Sequence, residues 1–358
     1  MTADSVGGVW TYALDLAEGL AAGGVQTTLA LLGPGPQRDQ LVAAAAVPGL
    51  KLLQTGLPLD ADIADRQALK LAAQTLTSLA HRARADVVHL NSPALAADAG
   101  FRAPVVGGCH WCLASWWARV HGGELPEPLR WRTVALARGY QACDVLLAPT
   151  AAFGCVTAEL YGVEPPRVVR HGRRHDGRAR PAPRERFVMT TGRLWDPAKN
   201  IDTLEAAAAL RGLPLFAAGP LDGPHGEHVR LRQAEALGRV DSAAIGGWLD
   251  RAQVFASLAR YEPFGLTVLE AAQAGCALVL SDIPTFRELW DGAAAFTPAD
   301  DAEAASDLLQ ALLDDPGRSA RLGEAARKRA RRYSPEAMSL GALKVYRSLL
   351  QDRAARAA

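Results

Sequence analysis

The sequence predicts an α/β chain of two Rossmann-like domains, each a parallel sheet with helices on both faces. Three observations predict it. Short apolar or β-branched runs alternate with helix-forming segments, and the alternation occurs twice along the chain. A polar, proline-containing stretch without periodicity, from Arg173 to Arg186, separates the two series. A chain of 358 residues also exceeds what one core usually holds, and a hydrophobic share of 49% can fill two.

In the first series, strands are expected at Thr27 to Leu32, Asp86 to Leu90, Val105 to Cys109, Val145 to Ala148 and Val168 to His171. Helical segments around Ala13 to Ala22, Arg66 to Arg84, Leu129 to Ala142 and Phe153 to Tyr161 separate them. The second series has strands at Phe187 to Thr190, Leu215 to Ala218, Ala277 to Leu280 and Ala294 to Phe296. Strands spaced by helices imply parallel pairing through crossovers. The expected domains are 1–172 and 187–334, with 173–186 as linker and 335–358 as a C-terminal helix. Ligands of open α/β sheets collect beyond the carboxyl ends of strands, so two such domains facing each other place a site in the cleft. A glycine loop at Gly7 leaves only Met1 to Asp4 for a strand ahead of it, fewer than the five or six residues usual. Either that strand is short or the natural chain begins upstream.

Two segments carry the chemistry. In Glu262-Pro-Phe264-Gly265-Leu266-Thr267-Val-Leu-Glu270, Phe264 and Gly265 break the preceding strand and Leu266 to Ala274 reads as a helix closed by Gly275. Glu262 then precedes the helix and Glu270 lies about one turn into it, with the N–H groups of the first turn between them. That suits a ligand with phosphates in its middle and hydroxyls at both ends, since each carboxylate can accept from vicinal hydroxyls. The plainer reading is a helix cap at Glu262 and a solvated Glu270. In the second segment, a buried strand from Phe187 runs into Gly192, then Arg193, Lys199 and a helix beginning near Asn200. Arg193 offers a planar fork and Lys199 a mobile point charge, a pair suited to a diphosphate. The chain has only five lysines, Lys51, Lys70, Lys199, Lys328 and Lys344, so a lysine at this position is informative.

Together these segments, Gly-Arg-x-x-x-x-x-Lys-Asn and Glu-x-Phe-Gly-Leu-x-x-x-Glu-Ala, resemble the retaining, nucleotide-sugar-dependent glycosyltransferases of the GT-B fold, of the family 4 type. The resemblance continues in the glycine loop Gly7-Gly8-Val-Trp10-Thr-Tyr12, in the strands ending at Asn91 and His110, in Cys143 to Thr150 and in Gly275 to Pro284. It implies that Glu262 binds donor-sugar hydroxyls and Glu270 the ribose, and that Arg193 and Lys199 stabilise the diphosphate. It assigns the amides near Gly265, Leu266 and Gly8 to the phosphates, and it brings His110 toward the sugar. Leu237-Gly-Arg239-Val240 resembles the segment that reads the base edge, with uracil, guanine and adenine all compatible, and Gly219 belongs to the turn beside that pocket. The C-terminal helix is implied to return to the N-terminal domain. The donor is then a co-substrate and no cofactor or metal is called for.

On the acceptor side, His89, Asn91, Trp111 and Trp116 are candidates. Asn91 stands where the family often has a second histidine, and His171-Gly172 where it often has Asn-Gly. Leu113, Trp116, Trp117 and Val120 share one helical face, which either packs in the core, stacks an acceptor sugar or rests at a lipid headgroup layer. The implied partners are a nucleotide-diphosphate sugar and a saccharide, lipid-linked or small-molecule acceptor. Asp60-Ala-Asp62 reads as a helix N-terminal cluster rather than a metal site.

Composition narrows the classes. A net charge of +1 argues against a broadly basic nucleic-acid binder. The sequence has no apolar run of membrane-spanning length, and the opening Met-Thr-Ala-Asp lacks signal-peptide regions, so a cytoplasmic protein is expected, with peripheral contact at the inner face of a membrane left open. Five scattered cysteines form no disulfide framework, and Cys109-His110-Trp111-Cys112 lacks the second pair of a metal site. An epimerase or hydrolase on the same fold, or a sugar-nucleotide sensor, would share the phosphate ligands. A dehydrogenase is disfavoured because Gly7-Gly8 lacks the third glycine of a dinucleotide fingerprint and its acidic partner.

Overall fold

The computed structural model describes residues 1–174 and 184–357. The chain divides into two compact units, one of residues 1–118, 122–172 and 334–358 and the other of 119–121 and 173–333.

The first unit opens with β1 (Thr2–Asp4), α1 (Gly8–Ala22), β2 (Thr27–Leu32), α2 (Arg38–Ala46), β3 (Leu50–Gln54) and α3 (Arg66–Arg82). It continues through β4 (Val88–Leu90), β5 (Val105–Gly108), α4 (Leu113–Val120), α5 (Glu127–Gln141), β6 (Val145–Ala148), α6 (Ala151–Tyr161) and β7 (Arg167–Val168). All pairings are parallel, in the orders β1-β2-β3 and β4-β5-β6-β7. The three-residue β1 pairs in register with Ala30 to Leu32, and Asn91 just beyond β4 ties the two sheets by donating its N–H to Thr2 Oγ1 at 2.9 Å. The winding therefore reverses between β1 and β4, which puts the loops after them at a topological switch point.

The second unit contains β8 (Glu185–Thr191), α7 (Ile201–Arg211), β9 (Leu215–Ala218), β10 (Glu235–Gly238), α8 (Ser242–Arg251), β11 (Ala252–Ser257) and α9 (Leu266–Ala274). It closes with β12 (Ala277–Ser281), α10 (Pro284–Trp290), β13 (Ala295–Thr297), α11 (Ala302–Asp314) and α12 (Pro316–Ala330). Its parallel sheet runs β10-β9-β8-β11-β12-β13, so the switch point falls between β8 and β11. Both faces of this sheet are covered, which is why β12 is apolar and buried throughout instead of alternating. One layer packs Phe255, Leu278, Leu280, Phe286 and Trp290, the other Val188, Leu204, Leu215, Val254 and Leu309.

The final helix, α13 (Pro335–Ala357), returns to the first unit and packs on α1. Met338, Ala342, Leu343 and Tyr346 join Tyr12, Leu16 and Leu20 in one buried cluster. Gly172 has no room for a side chain, because a Cβ there would lie 1.9 Å from Ser334 O.

Several expectations change in detail. The strand proposed at Val168 to His171 is only Arg167–Val168, and β8 begins at Glu185, inside the stretch taken as linker. Asp60-Ala-Asp62 forms a 3-10 turn of its own, and the helix that follows is capped by Asp65, which accepts from Ala68 N–H. Most of the remaining linker, residues 175–183, lies outside the described residues. Among the described residues no helix is long and apolar enough to cross a membrane. Because Met338 is 1% exposed and its sulfur accepts from Gly172 N–H, Met338→Ala is expected to cost about 2–5 kcal/mol in urea unfolding.

Candidate active site

The site of the second unit grows from the carboxyl ends of β8 and β11, neighbours at the switch point. Past β8 the chain turns at Gly192 (φ 148°), packed against Gly219 (φ 142°) at the end of β9. A Cβ on Gly219 would lie 1.8 Å from Gly192 O, so only glycine lets the two strand ends meet. The loop then presents Arg193, whose Nη2 donates to Asp196 Oδ2 at 2.9 Å. Burial would push the Asp196 carboxyl up, but the Arg193 guanidinium, the Ala198 N–H and Lys199 outweigh it and hold this acid below its ordinary value. Sequence reasoning passed over Asp196, although an acid between two cations is a legible sign of a device that spaces them.

The predicted helix start near Asn200 is one residue on, at Ile201. Asn200 itself adopts a left-handed conformation with φ 55°. Its Nδ2 donates to Leu258 O at 3.0 Å and Ala299 O at 2.7 Å, and Arg260 N–H donates to Ala198 O at 2.9 Å. The Leu258 and Arg260 bonds stitch the loop after β8 to the loop after β11, and the Ala299 bond ties it to the loop after β13. The result is that Lys199 Nζ reaches Glu262 Oε2 at 2.5 Å, with both side chains mostly buried at 20% and 14% exposure. Thr285 Oγ1 holds the Glu262 carbonyl at 2.6 Å, and buried Phe264 anchors the turn into the core. Gly265, at φ 87°, is the N-cap of α9 and brings no capping side chain, and half-buried Leu266 and Thr267 open the helix. The cationic loop and the helix start, predicted separately, are thus one constellation.

Glu270 is also within this unit, and its Oε1 pairs with Arg173 Nε at 2.5 Å. It is not the solvated helix residue of the plainer sequence reading, since its side chain is only 18% exposed. At the base segment, Leu237 and Val240 rest against the core, Gly238 takes φ 65°, and Arg239 is exposed. Gly219 N–H donates to Gly238 O at 2.8 Å, which joins this segment to the end of β9.

The candidates of the first unit form a second constellation. Asp4 Oδ1 accepts the N–H groups of Val6 and Gly7 at 2.9 and 3.1 Å, so the Gly7 amide is already spent on the chain's own carboxylate, and Gly8 is the exposed residue at the helix start. His110 departs from expectation, because both of its ring nitrogens are engaged internally. Asn91 Nδ2 donates to Thr2 O at 2.7 Å, which leaves Asn91 Oδ1 to accept from His110 Nε2 at 2.8 Å. The neutral ring then accepts at Nδ1 from His171 Nε2 at 3.2 Å. Tyr12 covers both imidazoles with centroid distances of 4.5 Å. Asn91 is therefore a fastener of His110. Neither Tyr12 nor His171 was singled out, the latter having been read only as a turn.

His89 is corrected more fully. It is 3% exposed, with Nδ1 2.5 Å from the Tyr346 hydroxyl of α13, so it is an internal residue and not a surface one. The tryptophans divide. Trp111 is 45% exposed and Trp116 half-buried, their centroids 6.3 Å apart, and Ser115 is the buried residue of α4. Core packing therefore does not describe this face, whereas Trp131 does rest against the core. Among the described residues no group of three His, Cys, Asp or Glu is placed to hold a metal ion.

Two doubly wound units, with cations and a helix start gathered at the switch point of the second, have the architecture of the GT-B fold. Family comparison makes this specific: residues 6–176 match the model "Glycosyltransferase Family 4" and residues 178–329 match "Glycosyl transferases group 1". The chain belongs to the family 4 glycosyltransferases of the GT-B fold. It is 28% identical to a D-inositol 3-phosphate glycosyltransferase of Xylanimonas cellulosilytica, over 98% of this chain and 94% of that protein. Sucrose-phosphate synthase of Thermosynechococcus elongatus superposes with a TM-score of 0.80 at 19% identity, covering 95% of this chain and 93% of that one. Anabaena HepE, solved with UDP-glucose, superposes at 0.73 and 18% identity, covering 97% and 100%.

Burial lowers the pKa of His110 to about 4 and that of His89 to about 3, both below the ordinary 6.5. The unfolded chain thus binds more protons below pH 6.5, so the stability these rings contribute is complete above that pH and is lost as pH falls toward 4. Thermal melting of the wild type should drop over this range, and His110→Gln should flatten the drop.

Proposed function

We propose that this glycosyltransferase moves a sugar from a nucleotide-diphosphate donor to a hydroxyl acceptor with retention of anomeric configuration, using protein cations instead of a metal to stabilise the leaving diphosphate. The observation that carries the reading is the contact of Lys199 with Glu262 at the start of α9, beside Arg193 and its aligning Asp196. Breaking the bond from the anomeric carbon to phosphate oxygen develops negative charge on the diphosphate. Arg193, Lys199 and the first-turn N–H groups of α9 are the groups set to receive it. An ammonium carries three N–H donors, so Lys199 can keep Glu262 and still donate to a phosphate. Glu262 has Oε2 on Lys199 and Oε1 accepting from Phe264 N–H at 3.4 Å, and its remaining lone pairs serve the sugar hydroxyls, while Glu270 takes the ribose.

In this scheme the acceptor hydroxyl attacks the face the diphosphate leaves, and its proton passes to a departing phosphate oxygen. A neutral His110 with both nitrogens engaged supplies a fixed wall to the first unit's switch point rather than a proton. The acceptor remains a saccharide, a lipid-linked or a small hydroxyl compound, with exposed Trp111 and half-buried Trp116 as its stacking surface. The UDP-glucose of the HepE structure and the inositol phosphate of the Xylanimonas relative's name are first compounds to test.

Arg193→Ala, Lys199→Ala and Glu262→Gln are each expected to lower turnover by roughly 100-fold or more while the protein stays folded by circular dichroism. Wild-type turnover in all three would reject the site. Proton NMR of the product should show the donor's anomeric configuration, with activity unchanged by EDTA, and inversion would reject the mechanism.

A further inference from the structure

Arg173 is the first residue of the stretch expected to be linker, yet it is docked on the second unit by every part of itself. Its N–H donates to Tyr333 O at 3.2 Å and its carbonyl accepts from Gln273 Nε2 at 2.6 Å. Its Nε pairs with Glu270 Oε1 at 2.5 Å, and its Nη2 lies 3.4 Å from Ser242 Oγ. Glu270 and Gln273 are one helical turn apart on α9, so residue 173 lies along that face. Ser242 opens α8 immediately after the segment Leu237 to Val240. The guanidinium is therefore bounded by the helix that carries the ribose acid on one side and by the end of the base segment on the other. Only 14% of its side chain is exposed.

We propose that Arg173 is a positioning residue for donor recognition, aiming the Glu270 carboxylate so that it accepts both ribose hydroxyls. This rests on the reading of Glu270 as the ribose ligand. Arginine suits the task because Nε engages one carboxylate oxygen and restrains the acid's rotamer, whereas an unrestrained glutamate samples several. Backbone bonds on both sides of Arg173 hold its own stem, so the rotamer cost is met before ligand arrives. The role follows from the fold, since the residue leaving the first unit is pinned to α9 before the chain continues.

The experiment is titration calorimetry of UDP, GDP and ADP, each with its 2′,3′-dideoxy counterpart, against wild type, Arg173→Ala, Arg173→Lys and Glu270→Gln. The wild type should bind at least one ribonucleotide more tightly than its dideoxy form. Arg173→Ala should weaken that ribonucleotide about tenfold and leave the dideoxy form unchanged, as Glu270→Gln should, with Arg173→Lys intermediate. Thermal melting of the unliganded variants shows whether each remains folded, and Arg173→Lys carries the test if the alanine variant does not. Equal weakening of ribo and dideoxy forms, or no weakening, overturns the positioning role while leaving the donor site intact. If the wild type does not distinguish ribo from dideoxy forms, the ribose reading of Glu270 fails, and the inference with it.

Discussion

Lys199 and Glu262 stand 63 positions apart in the chain and 2.5 Å apart in space, and the candidate site depends on that meeting. Sheet order makes it possible. β8 and β11 are adjacent although α7, β9, β10 and α8 intervene, because the winding reverses between them. The loops leaving these two strands must then run side by side, and the Asn200 and Ala198 bonds stitch them. A cation and an acid held there with 20% and 14% exposure are costly to desolvate and are partly offset by each other. Removing Lys199 alone would cost about 3–5 kcal/mol at full burial, and the residual exposure of the pair brings the cost below that. Such an arrangement is a poor way to gain stability.

The first unit uses the same topological rule for a different chemistry. Its switch point gathers the loop after β1, where Asp4 holds the Val6 and Gly7 N–H groups, with Asn91 after β4 and His110 after β5, and there the two imidazoles and the amide are mutually bonded. Thr2, Asn91, His110 and His171 form one hydrogen-bonded line, roofed by Tyr12, while His89 beneath is tied to Tyr346 of α13. This network joins β1 to β4 and the start of the chain to its end.

How much of this was legible in the sequence follows from what each signal depends on. Thr27–Leu32, Val145–Ala148, Leu215–Ala218 and α9 with its Gly275 stop were read with their observed bounds, because continuous apolar runs and a glycine C-cap are local facts. Edge strands were harder. Leu50–Gln54 and Glu235–Gly238 are short, carry polar residues and are held by a single neighbouring strand, so nothing local announces them. The site divides in the same way. Arg193, Lys199, Glu262 and Glu270 were legible through spacing and resemblance, whereas their connectors Asp196 and Arg173 have meaning only through contacts. His89 was misplaced because a strand residue's facing depends on register, and the burial of His89 by Tyr346 involves residues 257 positions apart.

Family membership establishes glycosyl transfer, and the charged constellation supplies a physical account of how the donor would be held. If a diphosphate is what Lys199 and Arg193 are built to hold, affinity must depend on its second phosphate. Calorimetric titration of UDP, GDP and ADP, each against its monophosphate, measures this directly. At least one diphosphate should bind the wild type roughly tenfold or more tightly than its monophosphate, and Lys199→Ala should remove most of that preference. Equal affinity for the two, or a preference that survives loss of both Lys199 and Arg193, would contradict the account.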